Sequence, residues 1–378
     1  MVQIKKCELA GLSILILSIG LYSVIWFENK VGPPDVIDIY GNTWYSLGYD
    51  YGFKCKNKIN GVISILSSLK NLIESTTKIT FDEYINIYSK YIPNNIIELM
   101  HGIADGASVS YSEIFILNLF FDIYPDVFEG LGFGCSAFII TNKSNAETGP
   151  FFCRTVDNAA IILMEYWQVI LRVHPPKGNP CIIHTGAGFI GPLTGMNSKG
   201  VSLFVNFVGA DKTGVGVPML ISGYIALIYS NTTFDAVGLL NGTLMPNCTP
   251  HASSWNFGIL DRFGNGAIVE TTNELVNVRW SNNKIGWIAA TNHFVSSEMY
   301  EHNAYLSESS ISRLETIITK INSSETFDII DGIKLLRSHY DSKLKFDFPD
   351  SRTVCNHDPL WSSMSAFIAV PKLNYTLI

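Results

Sequence analysis

The chain has 378 residues, of which 47% are hydrophobic and 16% charged, with a formal net charge of −7. That length fits two or three average domains or one large α/β domain, and the apolar fraction is ample for a large core. Basic residues are not bunched, which argues against a nucleic-acid partner, and the chain has no internal repeat or low-complexity tract.

Leu9 to Phe27 form an uncharged run of 19 residues, preceded by Lys5 and Lys6 and followed by Glu28 and Lys30. This is just long enough to cross a bilayer as a helix. A cleavable signal peptide has a shorter apolar region and small residues at its cut site. Here the run ends in bulky Val24-Ile25-Trp26-Phe27, whose aromatic rings suit a membrane interface. The reading is an uncleaved signal anchor, with a signal peptide as the alternative, so residues 1–32 hold the anchor and a linker. The two lysines place the N-terminus in the cytosol and the rest in the lumen or outside the cell. Lys30-Val31-Gly32-Pro33-Pro34 then stops any helix.

From Val36 to Tyr40 the pattern is a short strand. Thr43 is placed to cap a long helix from Trp44 to about Glu74, with Ile59, Val62, Ile63, Ile65 and Leu66 recurring at helical spacing,. Helices follow at about Phe81–Tyr91 and Asn94–Ser108. Another runs from Ser112 to about Tyr124, with Ser110 or Ser112 as its cap. Glu129-Gly130-Leu131-Gly132-Phe133-Gly134 is glycine-punctuated and reads as loop, while Ser136 to Ile140 has the composition of a buried strand,. Cys135 therefore sits where a loop enters a strand, and the Gly134–Cys135 bond reads as a self-cleavage site. Cutting it would give one residue carrying both a thiol and a free α-amine, a nucleophile with a built-in base.

Beyond Cys135 the pattern is mostly strands: Ala137–Thr141, Phe151–Arg154, Trp167–His174, Cys181–Thr185, Val201–Asn206, Trp255–Leu260, Ala267–Glu270, Val276–Trp280 and Ile288–Thr291. Turn signals such as Lys177-Gly178-Asn179-Pro180 and Asn265-Gly266 separate them,. Helices are expected at Pro218–Ser230, Ser307–Ile321 and Phe327–His339. Helices, then strands, then helices imply a layered α+β domain.

Cys7 falls on the cytosolic side, and with Cys135 set aside five cysteines remain: Cys55, Cys153, Cys181, Cys248 and Cys355. They allow two disulfides at most. Asn-X-Ser/Thr sequons at Asn142, Asn231, Asn241, Asn247, Asn322 and Asn374 permit a glycoprotein on the secretory route. No dinucleotide or phosphate loop is present. The histidines are scattered, with no His-x-x-x-His or Cys-x-x-Cys, so neither a cofactor nor a metal is expected.

Several motifs together resemble the acyl-coenzyme A:6-aminopenicillanic-acid acyltransferase family (peptidase C45-type), a group of N-terminal-nucleophile hydrolases related to the choloylglycine hydrolases. Tyr40-Gly41-Asn42 and Gly48-Tyr49-Asp50-Tyr51-Gly52 resemble that family's opening strand and helix. His101-Gly102-Ile103-Ala104-Asp105-Gly106-Ala107 with Leu117-Asn118 is similar to its G-I-A-x-G…L-N stretch. Gly134-Cys135-Ser136-Ala137-Phe138 matches the cleavage site, and Arg154-Thr155-Val156-Asp157 matches the R-x-x-D of the bile-salt-hydrolase type. Gly195-Met196-Asn197 through Val205-Asn206-Phe207, Thr291-Asn292-His293 and Ser312-Arg313 complete the series. Pro371 to Ile378 look shorter than the family's terminal strand.

The resemblance implies a four-layer αββα N-terminal-nucleophile hydrolase fold behind the hydrophobic helix. Residues 33–134 would form a mainly helical smaller subunit that stays bound to the catalytic segment 135–378. It implies Cys135 as nucleophile, Arg154 as the cation beside it, and Asp157 as the group orienting the new amine. Asn206 and Asn292 would be oxyanion donors, Arg313 a supporting arginine and His293 structural. The chemistry suits these roles. A thiol titrates near ~8.5 and a neighbouring cation lowers that, while an α-amine at roughly 7.7–8.0 is a good base near neutral pH. Each oxyanion donor contributes ~2.7–4 kcal/mol to the transition state. Taken singly, Arg154 also reads as a surface salt-bridge partner, Asp157 as a turn residue and the two asparagines as strand-end caps. The expected substrate is a small-molecule amide or acyl donor of the N-acyl-amine or N-acyl-lipid class, handled in the secretory pathway. A non-catalytic luminal binding protein is the alternative.

Overall fold

The computed structural model describes residues 33–377 except 128–133, 145–146, 160–163, 212–213, 283, 348–349 and 358–360. The hydrophobic run at 9–27, Cys7 and the stretch 129–133 lie outside the described residues. No described helix is long and apolar enough to cross a membrane.

Strand β1 (Asp35–Tyr40) leads into α1 (Trp44–Lys54), α2 (Lys56–Thr77), α3 (Phe81–Tyr88), α4 (Asn94–Ala107) and α5 (Tyr111–Val127). Thr43 caps α1 as expected: its hydroxyl accepts from Ser46 N at 3.0 Å, and the Ser46 hydroxyl accepts from Thr43 N at 3.0 Å. This reciprocal pair satisfies two donors at the helix start. The single helix expected from Trp44 to Glu74 is instead two. Cys55, at φ −102° and ψ 10°, breaks it, so that α1 packs on α4 while α2 packs on α5. The apolar spacing runs in phase across the break, which is why periodicity alone did not reveal it.

The contact between α1 and α4 explains four glycines. A Cβ on Gly48 would lie 2.1 Å from Leu99 O, and one on Gly102 would lie 2.1 Å from Tyr45 O; a Cβ on Gly52 or Gly106 would lie 2.2 and 2.3 Å from Ile103 O and Tyr49 O respectively. Spacing of four puts each pair on one helix face, so the two backbones touch directly. From α5, Asn118 reaches across to the strand-rich half. Its Nδ2 donates to Gly188 O at 2.9 Å and its Oδ1 accepts from Ile190 N at 2.7 Å.

The second half contains β2 (Gly134–Ile140), β3 (Phe151–Ala159), α6 (Met164–Trp167), β4 (Gln168–His174), β5 (Cys181–Gly186), β6 (Thr194–Asn197), β7 (Val201–Phe207), α7 (Met219–Tyr229) and α8 (Thr233–Leu240). It continues with β8 (Trp255–Asp261), β9 (Gly266–Thr271), β10 (Val276–Trp280), β11 (Trp287–Ala290), α9 (Ser297–Tyr300), α10 (Glu308–Asn322) and α11 (Ile329–Leu336). It ends with β12 (Tyr340–Asp341), β13 (Phe346–Asp347), β14 (Trp361–Val370) and β15 (Tyr375–Leu377). One sheet has the order β1-β4-β5-β6-β7-β8-β9-β10, and a second has β11-β2-β3-β14-β15. Only the β1–β4 pair is parallel among those described.

Alternation along the strands sorts the apolar side chains into three cores. Leu203, Val205, Phe257 and Val269 of the larger sheet pack under helices α1–α5, α7 and α8. Phe204, Leu260 and Ile268 on its other face meet Ala137, Ile139, Phe152 and Phe367 of the smaller sheet. The far face of the smaller sheet, with Phe138, Phe151 and Ile368, is covered by Leu314, Ile317, Leu335 and Leu336 from α10 and α11. The mixed α and β architecture is therefore helices, sheet, sheet, helices.

The sequence pattern gives no counterpart of β6, α6, α8, α9, β12, β13, β14 or β15. In β14 the first half, Ser362-Ser363-Met364-Ser365, lacks the aromatic and β-branched residues that mark a strand. β14 ends at Val370, just ahead of Pro371, and the short β15 pairs back onto it. The six described cysteines are all free.

The glycine contact gives a direct test. Gly102→Ala forces the two helices apart and is expected to cost about 1–3 kcal/mol or more. Gly223→Ala on α7, whose Cβ would meet only ordinary contacts from 3.7 Å, is expected to be neutral or stabilising by up to ~1 kcal/mol. Urea unfolding of both variants at an unchanged m-value checks the contrast.

Candidate active site

Strand alternation places the site at one end of the inter-sheet core. Cys135 shares its face of β2 with Ala137 and Ile139, Arg154 shares its face of β3 with Phe152, and Asn206 shares its face of β7 with Phe204. Gly134, Ser136 and Asp157 lie on the opposite face of the smaller sheet, toward α10.

Cys135 and Arg154 are both buried, and Arg154 Nη2 donates to Cys135 Sγ at 3.3 Å. The rest of the guanidinium is held in a cage. Nη1 donates to Leu193 O at 2.7 Å and Thr194 Oγ1 at 2.8 Å, Nε donates to Asn206 Oδ1 at 3.2 Å, and Nη2 also donates to Val205 O. These oxygens are neutral, so the buried positive charge is solvated by dipoles and one of its N–H groups is aimed at the Cys135 sulfur,. Arg154 is not the surface salt-bridge residue it could have been.

The side-chain amides of Asn206 and Asn292, close to Cys135, are both oriented by arginines, which carry only donors,. Cys135 N–H donates to Asn292 Oδ1 at 2.8 Å, and Arg313 Nη2 donates to the same oxygen at 2.8 Å. Arg313 Nη1 bonds the Cys135 carbonyl and, at 3.0 Å, Ser136 Oγ. Burial pulls the Arg313 pKa down, opposed by the nearby Asp157 carboxylate and Cys135. Asn292 thus turns its oxygen, not its NH₂, toward Cys135, and Nδ2 donates to Phe207 O at 2.9 Å. Asn206 likewise gives its oxygen to Arg154, while its Nδ2 donates to Ala290 O at 3.1 Å and Thr291 O at 3.5 Å. In both asparagines the side-chain oxygen is claimed by a guanidinium and the Nδ2 has a backbone carbonyl as acceptor.

Asp157 stands opposite Gly134 in the β2–β3 register. Its Oδ1 accepts from Ser363 Oγ at 2.6 Å, and its Oδ2 is buried with no hydrogen-bond partner. A Cβ on Gly134 would lie 2.7 Å from that Oδ2, so the unpaired oxygen faces the Gly134–Cys135 bond. Burial raises the Asp157 pKa, offset by Arg313, the Ser363 hydroxyl and Arg154.

His293 does not face Cys135. Its Nδ1 lies 2.7 Å from Ser310 Oγ, which also accepts from Asn292 N at 2.8 Å. Burial and Arg313 push its pKa down to about 4, so it is a neutral strut for Asn292. The loop beyond it is fastened by buried Glu270, which accepts from Val295 N at 3.0 Å and Arg279 Nε at 2.6 Å. Sequence reasoning did not single out Thr194, Ser310, Ser363 or Asn256. Serine and threonine hydroxyls carry no motif of their own, and only strand pairing brings Ser363 against Asp157 and Asn256 against Asn206.

Comparison with known proteins adds an independent finding. The family model for Acyl-coenzyme A:6-aminopenicillanic acid acyl-transferase matches residues 144–350, more than half of the chain. An uncharacterized protein of Archaeoglobus fulgidus is 22% identical over 340 residues, covering 77% of this chain and 56% of that protein. Protein dcd1A of Dictyostelium discoideum is 26% identical over 200 residues, 44% of each chain. The chain spans about half the length of these curated relatives. Among solved structures, a Caenorhabditis elegans N-acylethanolamine-hydrolyzing acid amidase ortholog is 15% identical, with a TM-score of 0.42, over 63% of this chain and 93% of its own.

The buried titratable groups predict a pH dependence. His184, whose Nε2 pairs with Gln168 Oε1 at 2.6 Å, has its pKa pushed down to about 3 by burial and Arg154; His251 and His293 fall to about 4, mainly by burial. Unfolded histidine titrates near ~6.5. Between that pH and the folded values the unfolded chain binds more protons, so stability is full above ~6.5 and falls as pH drops toward 4. Asp122, pushed up to about 7 by burial, acts oppositely and partly offsets the loss. Urea unfolding from pH 7 to 4.5 should therefore show an acid-side decline. His184→Asn should make it shallower by about one proton, and Asp122→Asn should make it steeper.

Proposed function

Because the chain belongs to the acyl-coenzyme A:6-aminopenicillanic acid acyl-transferase family, we propose that it is a self-cleaving N-terminal-nucleophile enzyme. In this reading it draws an acyl group from a non-peptide amide onto Cys135 and passes it to water or to an amine. The observation that carries the reading is that the nitrogen, sulfur and carbonyl oxygen of Cys135 each have a dedicated polar side-chain partner: Asn292, Arg154 and Arg313. A cysteine buried merely as a small hydrophobe needs none of these.

Maturation begins when Cys135 Sγ attacks the Gly134 carbonyl. The C–N bond breaks, the thiol proton passes to the departing nitrogen, and a thioester forms. Water then opens the thioester, leaving a Gly134 carboxylate and a Cys135 that carries both thiol and α-amine. Glycine at 134 leaves the room that Asp157 Oδ2 needs beside that bond. The new amine inherits the Asn292 oxygen and the otherwise unpaired Asp157 oxygen as acceptors. Residues 33–134 stay bound to 135–378, since the core beneath the larger sheet draws side chains from both.

In turnover the amine takes the thiol proton and the thiolate, held by Arg154, attacks the substrate carbonyl. The ammonium returns its proton to the leaving amine, giving an acyl-enzyme thioester that water or a second amine resolves. Asn292 has a second Nδ2 proton beyond the one given to Phe207 O, and this is its contribution to the oxyanion. Asn206 acts through Arg154, whose Nε it holds. The preferred substrate class is an N-acyl amine or N-acyl lipid. The uncharged run at 9–27 supports the lipid form, by keeping the enzyme in the secretory pathway at a membrane.

Brief incubation with a panel of N-acyl amines and N-acyl lipids, followed by acid quenching and mass spectrometry, tests this. The expected result is an acyl adduct confined to the Cys135 peptide and released by hydroxylamine. Asn292→Ala should reduce turnover by roughly 10²–10³-fold. Turnover without any adduct, or undiminished in Cys135→Ser and Asn292→Ala alike, would overturn the acyl-enzyme reading.

A further inference from the structure

Beyond the catalytic site, the segment joining α11 to β14 gathers His339, Cys355 and His357, whose ligand atoms all lie within 4.8 Å of one another. Cys355 Sγ and His357 Nε2 are 3.4 Å apart, and the rings of His339 and His357 meet edge-on with centroids 4.9 Å apart. We propose that these three side chains form a binding site for a thiophilic divalent cation, with Zn²⁺ the best match.

The geometry suits that ion. Zn–S near 2.3 Å and Zn–N near 2.0–2.1 Å in a tetrahedral site put sulfur and nitrogen ligands about 3.5 Å apart. Two imidazoles and a thiolate are borderline-soft donors that favour zinc over magnesium or calcium. A thiol–imidazole hydrogen bond alone would account for Cys355 and His357. It leaves His339 unexplained, because the Nε2 of this half-buried residue is sequestered from solvent with no hydrogen-bond partner. A buried ring nitrogen left unpaired is costly unless a ligand engages it. The backbone is already shaped for the cluster: Cys355 N donates to Ser338 O at 3.0 Å, which sets Cys355 beside His339. Binding converts the Cys355 thiol to thiolate and releases its proton to solvent. The three protein ligands leave a fourth position for water.

Such a site would tie down the strand entry that serves the catalytic centre. Asn356, between two of the ligands, accepts from Ser363 N at 2.9 Å and donates its own N–H to Ser363 Oγ at 2.9 Å. Ser363 Oγ in turn donates to Asp157 Oδ1 at 2.6 Å. The metal proposal stands on this cluster alone and does not depend on the acyl-enzyme reading. Its spacing, Cys-x-His plus a histidine from the preceding turn, matches no motif sought in the sequence, where no metal was expected.

Cobalt(II) is the probe, because thiolate–Co²⁺ charge transfer is visible. Metal-stripped full-length protein titrated with Co²⁺ should develop a thiolate band and tetrahedral d–d absorption saturating at one equivalent. Zn²⁺ should displace both and raise the melting temperature. Cys355→Ser should abolish the band, and His357→Ala, at an exposed position, and His339→Ala should each weaken binding at least about tenfold. Cys135→Ala should leave the band intact. The proposal is overturned if no band forms, if it survives Cys355→Ser with the fold retained by circular dichroism, or if it vanishes in Cys135→Ala. Should Cys355→Ser not fold, an undiminished affinity in His357→Ala overturns it equally.

Discussion

The rest of the structure depends on one buried guanidinium. Arg154 is buried between two sheets, and it survives there because carbonyls from Leu193 and Val205 and side-chain oxygens from Thr194 and Asn206 surround it. Burying an isolated charge is prohibitively costly, and a ring of dipoles offsets that cost. The same cage fixes its direction. The remaining donor points at Cys135 Sγ, so the sheet-on-sheet packing and the placement of a positive charge beside the sulfur are one constraint.

The helical half serves that constraint from a distance. Tyr51 Oη accepts from Gly188 N at 2.7 Å and Asn118 grips Gly188 and Ile190, fixing the turn that runs into Leu193 and Thr194. Tyr51 stands on the helix that Gly48 and Gly52 bring against α4, and Asn118 on α5. Residues 33–127 thus hold the loop that holds Arg154. On the opposite side Arg313 and Ser310 from α10 fasten Asn292 and the Cys135 carbonyl. The Gly134–Cys135 bond is therefore gripped from both faces of its sheet, by groups that come together only when the whole layered fold has formed.

Much of this was legible in the sequence, and the failures are instructive. Cys135, Arg154, Asn206, Asn292 and Arg313 stand in ordered motifs, and the pairing of β2 with β3, the packing of β7 from the facing sheet, the loop after β11 and α10 bring them into one cluster. What the motifs do not carry is orientation. An asparagine is written the same way whether its oxygen or its nitrogen faces the sulfur, and only the two arginines decide that. The break at Cys55 was invisible because apolar spacing stays in phase on both sides. β14 was invisible because its serine-rich first half spends its side chains on polar partners, Ser363 on Asp157 among them. The His339–Cys355–His357 cluster was invisible because its members meet through a turn rather than along a helix.

The measurement that bears most directly on this account is the N-terminal sequence and intact mass of the purified protein beside its Cys135→Ala variant. The account requires two co-purifying fragments in the wild type, the larger beginning at Cys135, and one unbroken chain in the variant. A wild-type chain that stays whole while turning over an amide, or one cut at another bond, would contradict it.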